Sequence, residues 1–145
     1  MNIYIDADAC PVVNLALRIA KQYNISCTVL CDTAHQISCE GARTIIVSKG
    51  RDSVDFQLVN LIQKGDIAIT QDYGLAAMCL AKGAYALHQN GILYTNENID
   101  AMLHSRYLSN KIRAAGGRTK GPHARTSAED TAFAKSLNKL LENSL

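Results

Sequence analysis

Short apolar runs alternate along the chain with longer segments whose apolar residues recur every three or four positions. The runs cover residues 3–5, 25–31, 44–48, 66–70 and 84–88, and they are of strand length and rich in β-branched residues. Strands that alternate with helices form mainly parallel sheets joined by right-handed crossovers. The pattern therefore predicts a three-layer α/β fold with about five strands in the order 3-2-1-4-5.

The segments between these runs predict five helices and one further strand. Helical spacing covers residues 11–23, 52–63 and 73–82, followed by a helix that Asn96 is predicted to cap and a closing helix near the end of the chain. Pro11 suits a first helical turn, and the sequence Thr126-Ser-Ala-Glu129 has the spacing of a capping box. Residues 92–95 predict a short extra strand. We expect one domain over residues 1–145.

Two aspartates interrupt the chain where the first strand should give way to the first helix. Asp6 and Asp8 follow the apolar run at 3–5 and precede Pro11. In an open parallel sheet this turn lies at the carboxyl edge, where ligands usually bind. Two carboxylates so close together repel each other unless a cation, a proton or a strong donor relieves the repulsion. The turn is therefore a candidate functional site.

Three interpretations of this turn remain open on its residues alone. Asp8 could cap the helix while Asp6 is solvated. The D-x-D pair could serve a phosphatase of the haloacid dehalogenase type, although 145 residues leave little room for the cap module of such enzymes. The third interpretation is a site for Mg²⁺ or Mn²⁺, which prefer carboxylate oxygens.

The fourth apolar run repeats the pattern of the first, because it also ends at an aspartate, Asp72. Strands one and four are neighbours in the order 3-2-1-4-5, so Asp6, Asp8 and Asp72 should converge at one edge. Asp55 lies in the first turn of the second helix beside its buried stripe and could point along the same edge. Asp52, three residues earlier, is predicted to be a helix cap.

Composition bears on the compartment and on disulfides. No apolar run approaches the roughly 20 residues of a membrane span, and Met1 leads directly into the first strand. We therefore expect a cytoplasmic protein that does not associate with a membrane. Five cysteines without a secretory signal favour reduced thiols. Cys31, His35 and Cys39 recur every four residues and could bind zinc, but no fourth ligand is evident.

Positive charge is concentrated in the last third of the chain. Residues 1–100 contain 7 Lys and Arg against 10 Asp and Glu, whereas residues 101–145 contain 8 against 3. The Gly-rich segment 114–127 lacks the spacing of a P-loop, yet its glycines and cations form a candidate phosphate site. The candidate contacts are Arg113, Arg118, Lys120 and Arg125. A solvated basic surface or a linker is the alternative.

Several stretches together resemble the bacterial YaiI/YqxD family. They are IDADACPV at 5–12, DSVDF at 52–56, GDIAITQDYGLA at 65–76, NID at 98–100 and AGGRTKGP at 115–122. The resemblance covers nearly the whole chain. That family is similar to PIN-like nucleases, compact α/β domains in which carboxylates bind Mg²⁺ or Mn²⁺ and cut RNA.

The resemblance implies a role for each carboxylate. Asp6 looks like the first carboxylate of the PIN-like set, Asp55 like the helix carboxylate and Asp72 like the one after the fourth strand, with Asp8 as an additional candidate. The helix position is commonly Glu in PIN nucleases, and this chain has the shorter Asp55. The expected function is a divalent-metal-dependent phosphodiesterase, in particular a ribonuclease that acts through the carboxylates at the carboxyl edge of the sheet. The alternatives are a non-catalytic RNA-binding protein and a dehalogenase-type phosphatase.

Overall fold

The computed structural model describes residues 1–8, 10–32, 42–47, 53–114, 116 and 124–144. The strands are β1 (Asn2–Asp6), β2 (Ser26–Asp32), β3 (Arg43–Val47), β4 (Ile67–Ile69) and β5 (Tyr85–Leu87). The helices are α1 (Val13–Gln22), α2 (Ser53–Leu61), α3 (Tyr73–Ala81), α4 (Asn96–Ala114) and α5 (Ser127–Ser144). A helix separates β1 from β2, β3 from β4 and β4 from β5, as the apolar runs predict, and residues 33–41 between β2 and β3 lie outside the described residues.

All five strands are parallel and lie in the order β3-β2-β1-β4-β5, which confirms the predicted order. The pairing registers align Ile5 with Ile69, and Ile69 with Leu87. Because parallel strands end at the same edge, the residues that follow these three also form a row at the carboxyl edge of the sheet. That row is the starting point of the candidate site.

Helices cover both faces of the sheet and bury its alternating side chains. One face packs on α1 and α5, and its core includes Ile3, Ile5 and Ile69. The other face packs on α2 and α3, with α4 next to α3. The three-layer prediction is confirmed. None of the helices in the described ranges is long and apolar enough to cross a bilayer.

The helix ends test the predicted caps. Thr126 and Glu129 form the expected capping box, in which Thr126 N donates to Glu129 Oε1 at 2.9 Å and Glu129 N donates to Thr126 Oγ1 at 3.4 Å. The helix α4 is capped by Thr95 rather than by Asn96, because Thr95 Oγ1 accepts from Asn98 N at 3.1 Å. The first helix begins at Val13, two residues after Pro11.

The predicted strand at residues 92–95 is reduced to one antiparallel bridge between Leu87 and Leu93. The chain reverses direction at Gly91 and enters α4 at Asn96, so too few residues remain for a longer ladder. Ile92 and Leu93 are both exposed, which removes the burial that would favour an extra strand.

The cysteines of the described ranges, Cys10, Cys27, Cys31 and Cys79, form no disulfide. Cys31 is buried in β2, and its two partners in the zinc interpretation, His35 and Cys39, lie outside the described residues. That interpretation stays a prediction.

Candidate active site at the carboxyl edge of the sheet

Asp6, the last residue of β1, is fixed by the neighbouring strand. The register that pairs Ile5 with Ile69 brings Thr70 beside Asp6, and the Thr70 hydroxyl donates to Asp6 Oδ2 at 2.9 Å. Thr70 is only 1% exposed, so this hydroxyl is held inside the protein. A buried strand end thereby orients the first candidate carboxylate.

The same hydroxyl connects Asp6 to Asp72. Thr70 Oγ1 accepts from the backbone N–H of Asp72 at 3.0 Å. The side chain of Asp72 caps α3, because its Oδ1 accepts from Gly74 N at 2.9 Å and from Leu75 N at 3.2 Å. One side-chain oxygen of Asp72 thus caps α3.

Electrostatics bring the third carboxylate, Asp8, into the same cluster. The pKa of Asp6 is raised from 3.8 to about 6, chiefly because burial removes the ionised carboxylate from water. The charges of Asp8 and Asp72 raise this pKa further, while the Thr70 hydroxyl and the backbone N–H of Asp8 lower it. We name Asp6, Asp8 and Asp72 the carboxylate cluster.

Asp8 does not cap the first helix, so the capping interpretation of this turn is wrong. The residue before α1 is Val12, which makes no side-chain cap, and Asp8 Oδ1 instead accepts from Asp32 N at a long 3.4 Å. The turn also bonds to β2 through Ala7 N and Leu30 O at 2.9 Å. Asp8 therefore lies over the end of β2, and not at the start of α1.

Asp55 lies in the first turn of α2 and is partly buried. The helix begins at the carboxyl edge, because it leads from β3 back to the start of the parallel strand β4. Burial raises the pKa of the Cys79 thiol in α3, and the charge of Asp55 raises it further, so Asp55 lies near α3. The assignment of Asp55 as a ligand stays a prediction, and Asp52 lies outside the described residues.

Among the predicted phosphate contacts, Arg125 is bound within the protein. Its Nε pairs with Asp130 Oδ1 at 2.8 Å, its Nη1 donates to Asn90 Oδ1 at 2.7 Å and its Nη2 donates to the carbonyl of Gln89 at 2.9 Å. The guanidinium joins the start of α5 to the loop after β5. Its assignment as a phosphate contact stays a prediction.

The other three predicted phosphate contacts are Arg113, Arg118 and Lys120. Arg118 and Lys120 lie outside the described residues, and so does the side chain of Arg113. Their proposed contacts with phosphate also stay predictions.

The sequence interpretation missed Thr70 and Tyr94. Tyr94 is 2% exposed, its hydroxyl donates to the carbonyl of Thr70 at 3.1 Å, and its ring packs edge-on against Tyr73 at 6.1 Å between centroids. Thr70 had a detectable signal, since it is a hydroxyl at the end of an apolar run just before Asp72. Tyr94 had none, because 24 residues separate it from the carbonyl that it contacts.

The donors of the carboxylate cluster are oxygen atoms only, which suits a hard cation such as Mg²⁺ or Mn²⁺. No three Asp, Glu, His or Cys side chains of the described ranges are grouped so that they could together hold a metal ion. Mg²⁺ commonly uses one or two carboxylates and retains several waters. A metal site at the carboxylate cluster stays a prediction.

The fold and the edge cluster define a class of protein: a parallel α/β domain with acidic side chains gathered where the strand order reverses. The family model described as "Uncharacterized BCR, YaiI/YqxD family" matches residues 4–143. The chain belongs to this family.

Relatives align along almost their entire length. A UPF0178 protein of Exiguobacterium sibiricum is 52% identical over 141 residues, which cover 97% of this chain and 96% of that protein. A UPF0178 protein of Clostridium acetobutylicum is 48% identical over 143 residues, 97% of each chain. No solved structure matches the chain.

Proposed function

We propose that this protein is a divalent-metal-dependent phosphodiesterase that cuts RNA at the carboxylate cluster. The observation that carries the proposal is the position of Asp6, which is withdrawn from water and still surrounded by the charges of Asp8 and Asp72. Such an arrangement destabilises the ionised protein without a cation. The Thr70 hydroxyl and the backbone N–H of Asp8 offset this only in part, because the pKa of Asp6 is still raised to about 6.

The residues of the site have separate tasks in this proposal. Asp6 and Asp72 supply the indispensable carboxylates, and Thr70 keeps both oriented through its single hydroxyl. Asp8 and Asp55 are additional candidates. A bound Mg²⁺ or Mn²⁺ supplies Lewis-acid polarisation of a phosphate and activation of a water for in-line attack at phosphorus.

The backbone at the start of α3 stabilises the negative charge of Asp72. Its Oδ1 accepts two backbone N–H groups at the amino end of α3, where the helix dipole favours an anion. We infer that its second oxygen is the one offered to a cation. The cap then holds the carboxylate in one orientation, as a preorganised site requires.

The test compares a single-stranded RNA with a phosphomonoester as substrates, each in Mn²⁺ and in EDTA. We expect cleavage of the RNA in Mn²⁺ that EDTA abolishes and that Asp6→Asn and Asp72→Asn both lose. A matched control is Asp100→Asn, because Asp100 is exposed on α4 and makes the same change of charge elsewhere. Cleavage of the monoester alone would replace the proposal with the phosphatase alternative.

The concentration of positive charge in residues 101–145 favours a second candidate, a non-catalytic RNA-binding protein. Binding to phosphates releases counterions, so affinity should fall steeply with salt in either case. RNA binding without cleavage in Mg²⁺ or Mn²⁺ would select this second candidate.

A further inference from the structure

His88 continues the row of residues that begins with Asp6 and Thr70. The registers align Ile5, Ile69 and Leu87, and each is followed directly by one of these three residues. Adjacent strands are about 4.8 Å apart, so His88 lies about 10 Å from Asp6 at the same edge. The Tyr94 ring covers this end of the row and packs edge-on against the imidazole, with 6.0 Å between centroids.

The turn that carries His88 is held rigidly. Its backbone closes through His88 N to Ile92 O and through Gly91 N to His88 O, both at 2.9 Å. From the outside, Arg125 binds Asn90 and Gln89, and Ser136 Oγ donates to the carbonyl of Gly91 at 2.6 Å.

Gly91 brings this turn into close contact with α5. Its φ of +90° favours glycine, and a Cβ there would lie 2.5 Å from the carbonyl oxygen of Ala132. The loop after β5 is therefore packed against the last helix as tightly as a core element. Its histidine is presented in one fixed position.

The two nitrogens of His88 have different surroundings. Nδ1 accepts from Asn90 N at 3.0 Å, so the neutral ring carries its proton on Nε2. No residue of the described ranges hydrogen-bonds to Nε2, and no buried side-chain nitrogen there lacks a partner, so Nε2 reaches solvent. Burial, and secondly the charge of Arg125, lower the pKa of His88, although Glu129 opposes this.

We propose that His88 binds the RNA substrate by donating a hydrogen bond from Nε2 to a non-bridging phosphate oxygen beside the carboxylate cluster. The inference rests on the proposed function for the identity of the substrate. A neutral donor suits this place, because it holds the phosphate without attracting the carboxylates that the cation needs. The His88 donor also lies on a rigid loop, and a binding group on a rigid loop loses little conformational entropy when the ligand binds.

Two substitutions separate this role from a purely structural one. His88→Asn keeps an acceptor near Nδ1 for the Asn90 N–H and removes the Nε2 donor, whereas His88→Gln keeps a donor near Nε2 and removes that acceptor. A hydrogen bond to a charged group corresponds to roughly tenfold to hundredfold in affinity. We expect His88→Asn to raise the KM for RNA by about this factor, and His88→Gln to remain closer to the wild type.

The control is His104→Asn, the same change at an exposed histidine of α4, which should leave KM and thermal stability unchanged. A structural role for His88 predicts the reverse order, with His88→Gln less stable and less active than His88→Asn, and that order would overturn the proposal. If a variant fails to fold, ¹⁵N NMR of the wild-type imidazole decides: Nε2 should shift when a short oligoribonucleotide is added, and an unchanged Nε2 signal at saturation contradicts the contact.

Affinity for RNA in EDTA separates the two proposals. Weaker binding by His88→Asn in EDTA supports the His88 contact even if no cleavage is found in any metal. Cleavage in Mn²⁺ with wild-type KM in His88→Asn would refute the contact and leave the proposed function standing.

Discussion

Two aspartates at opposite edges of the sheet, Asp66 buried and Asp6 half-buried, show how differently a fold can treat the same side chain. Asp66, just before β4 at the amino edge, is 5% exposed and accepts backbone N–H groups from Asn2 and Gln63, each at 2.9 Å. Asp6, at the carboxyl edge, accepts the Thr70 hydroxyl and is surrounded by two further carboxylates.

The difference lies in what surrounds each charge. One donor to Asp66, Asn2 N, comes from β1, which must meet β4 for the sheet to form, and the other, Gln63 N, comes from the turn just before Asp66, so this carboxylate stabilises the fold. The carboxylates of Asp8 and Asp72 act against the ionised form of Asp6, and the Thr70 hydroxyl and the backbone N–H of Asp8 offset this only in part. We propose that the two carboxylates are kept for ligand chemistry. A buried acid with backbone donors and a half-buried acid among like charges should thus respond oppositely to substitution.

The largest expected effect is on catalysis. Asp6→Asn should lower kcat for RNA by about a thousandfold or more, because a cation ligand contributes several kcal/mol and each 1.36 kcal/mol is a factor of ten. Initial rates at saturating RNA in Mn²⁺ measure this, with circular dichroism to verify the fold. Asp66→Asn, assayed well below its melting temperature, should retain turnover close to that of the wild type. A loss of kcat similar to that of Asp6→Asn would show that the two aspartates do not differ in their roles.

The next effect concerns stability at the amino edge. Asp66→Ala leaves the N–H groups of Asn2 and Gln63 without their acceptor, which costs about 1–3 kcal/mol for a fully buried group and less for a part-buried one, as here. Urea unfolding in EDTA should therefore give a loss of roughly 2–5 kcal/mol in the free energy of unfolding. Asp6→Ala, treated identically, should cost clearly less, and equal losses would mean that both acids are structural.

The dependence of stability on pH sharpens the same contrast. The folded protein binds the Asp6 proton more tightly than the unfolded chain, so this contribution is complete below about pH 4 and is lost as pH rises through about 6. In EDTA the free energy of unfolding should fall by up to about 3 kcal/mol across that window. Asp6→Asn should remove this fall and be more stable than the wild type at pH 8. A wild-type curve that rises over the same window contradicts the assignment.

The smallest effect should come from Thr70→Val, which keeps the shape and removes the hydroxyl. The change leaves Asp72 N without its acceptor and should cost about 1–2 kcal/mol. Because that hydroxyl lowers the pKa of Asp6, its loss should also shift the pH window upward. Unfolding curves between pH 4 and 8 measure both effects. An unshifted window would show that Asp6 does not depend on Thr70.

The layout of the fold was predictable because it is encoded locally. Apolar runs of strand length specify the sheet, and the capping box at Thr126 uses atoms only three residues apart. The errors at helix starts are also local, since Thr95 competes successfully with Asn96 for the cap of α4.

Much of the site could not be predicted because its contacts join distant residues. Thr70 and Asp6 are 64 positions apart, and Asp8 and Asp32 are 24 apart. The repeated pattern of a strand followed by Asp identified Asp6 and Asp72, because parallel strands share an edge. This pattern does not predict that the Thr70 hydroxyl joins the two aspartates, nor that the backbone N–H of Asp32 donates to Asp8.

The cap that Asp72 provides for α3 has an evolutionary consequence. Asn and Ser are as favourable as Asp at the start of a helix, and both can accept the N–H groups of Gly74 and Leu75. A single nucleotide change can convert an Asp codon into an Asn codon, so a descendant could lose the charge at this position while its helix stays intact. The fold thus offers a short mutational route from the proposed enzyme to a stably folded protein that lacks this carboxylate, without an unstable intermediate along the lineage.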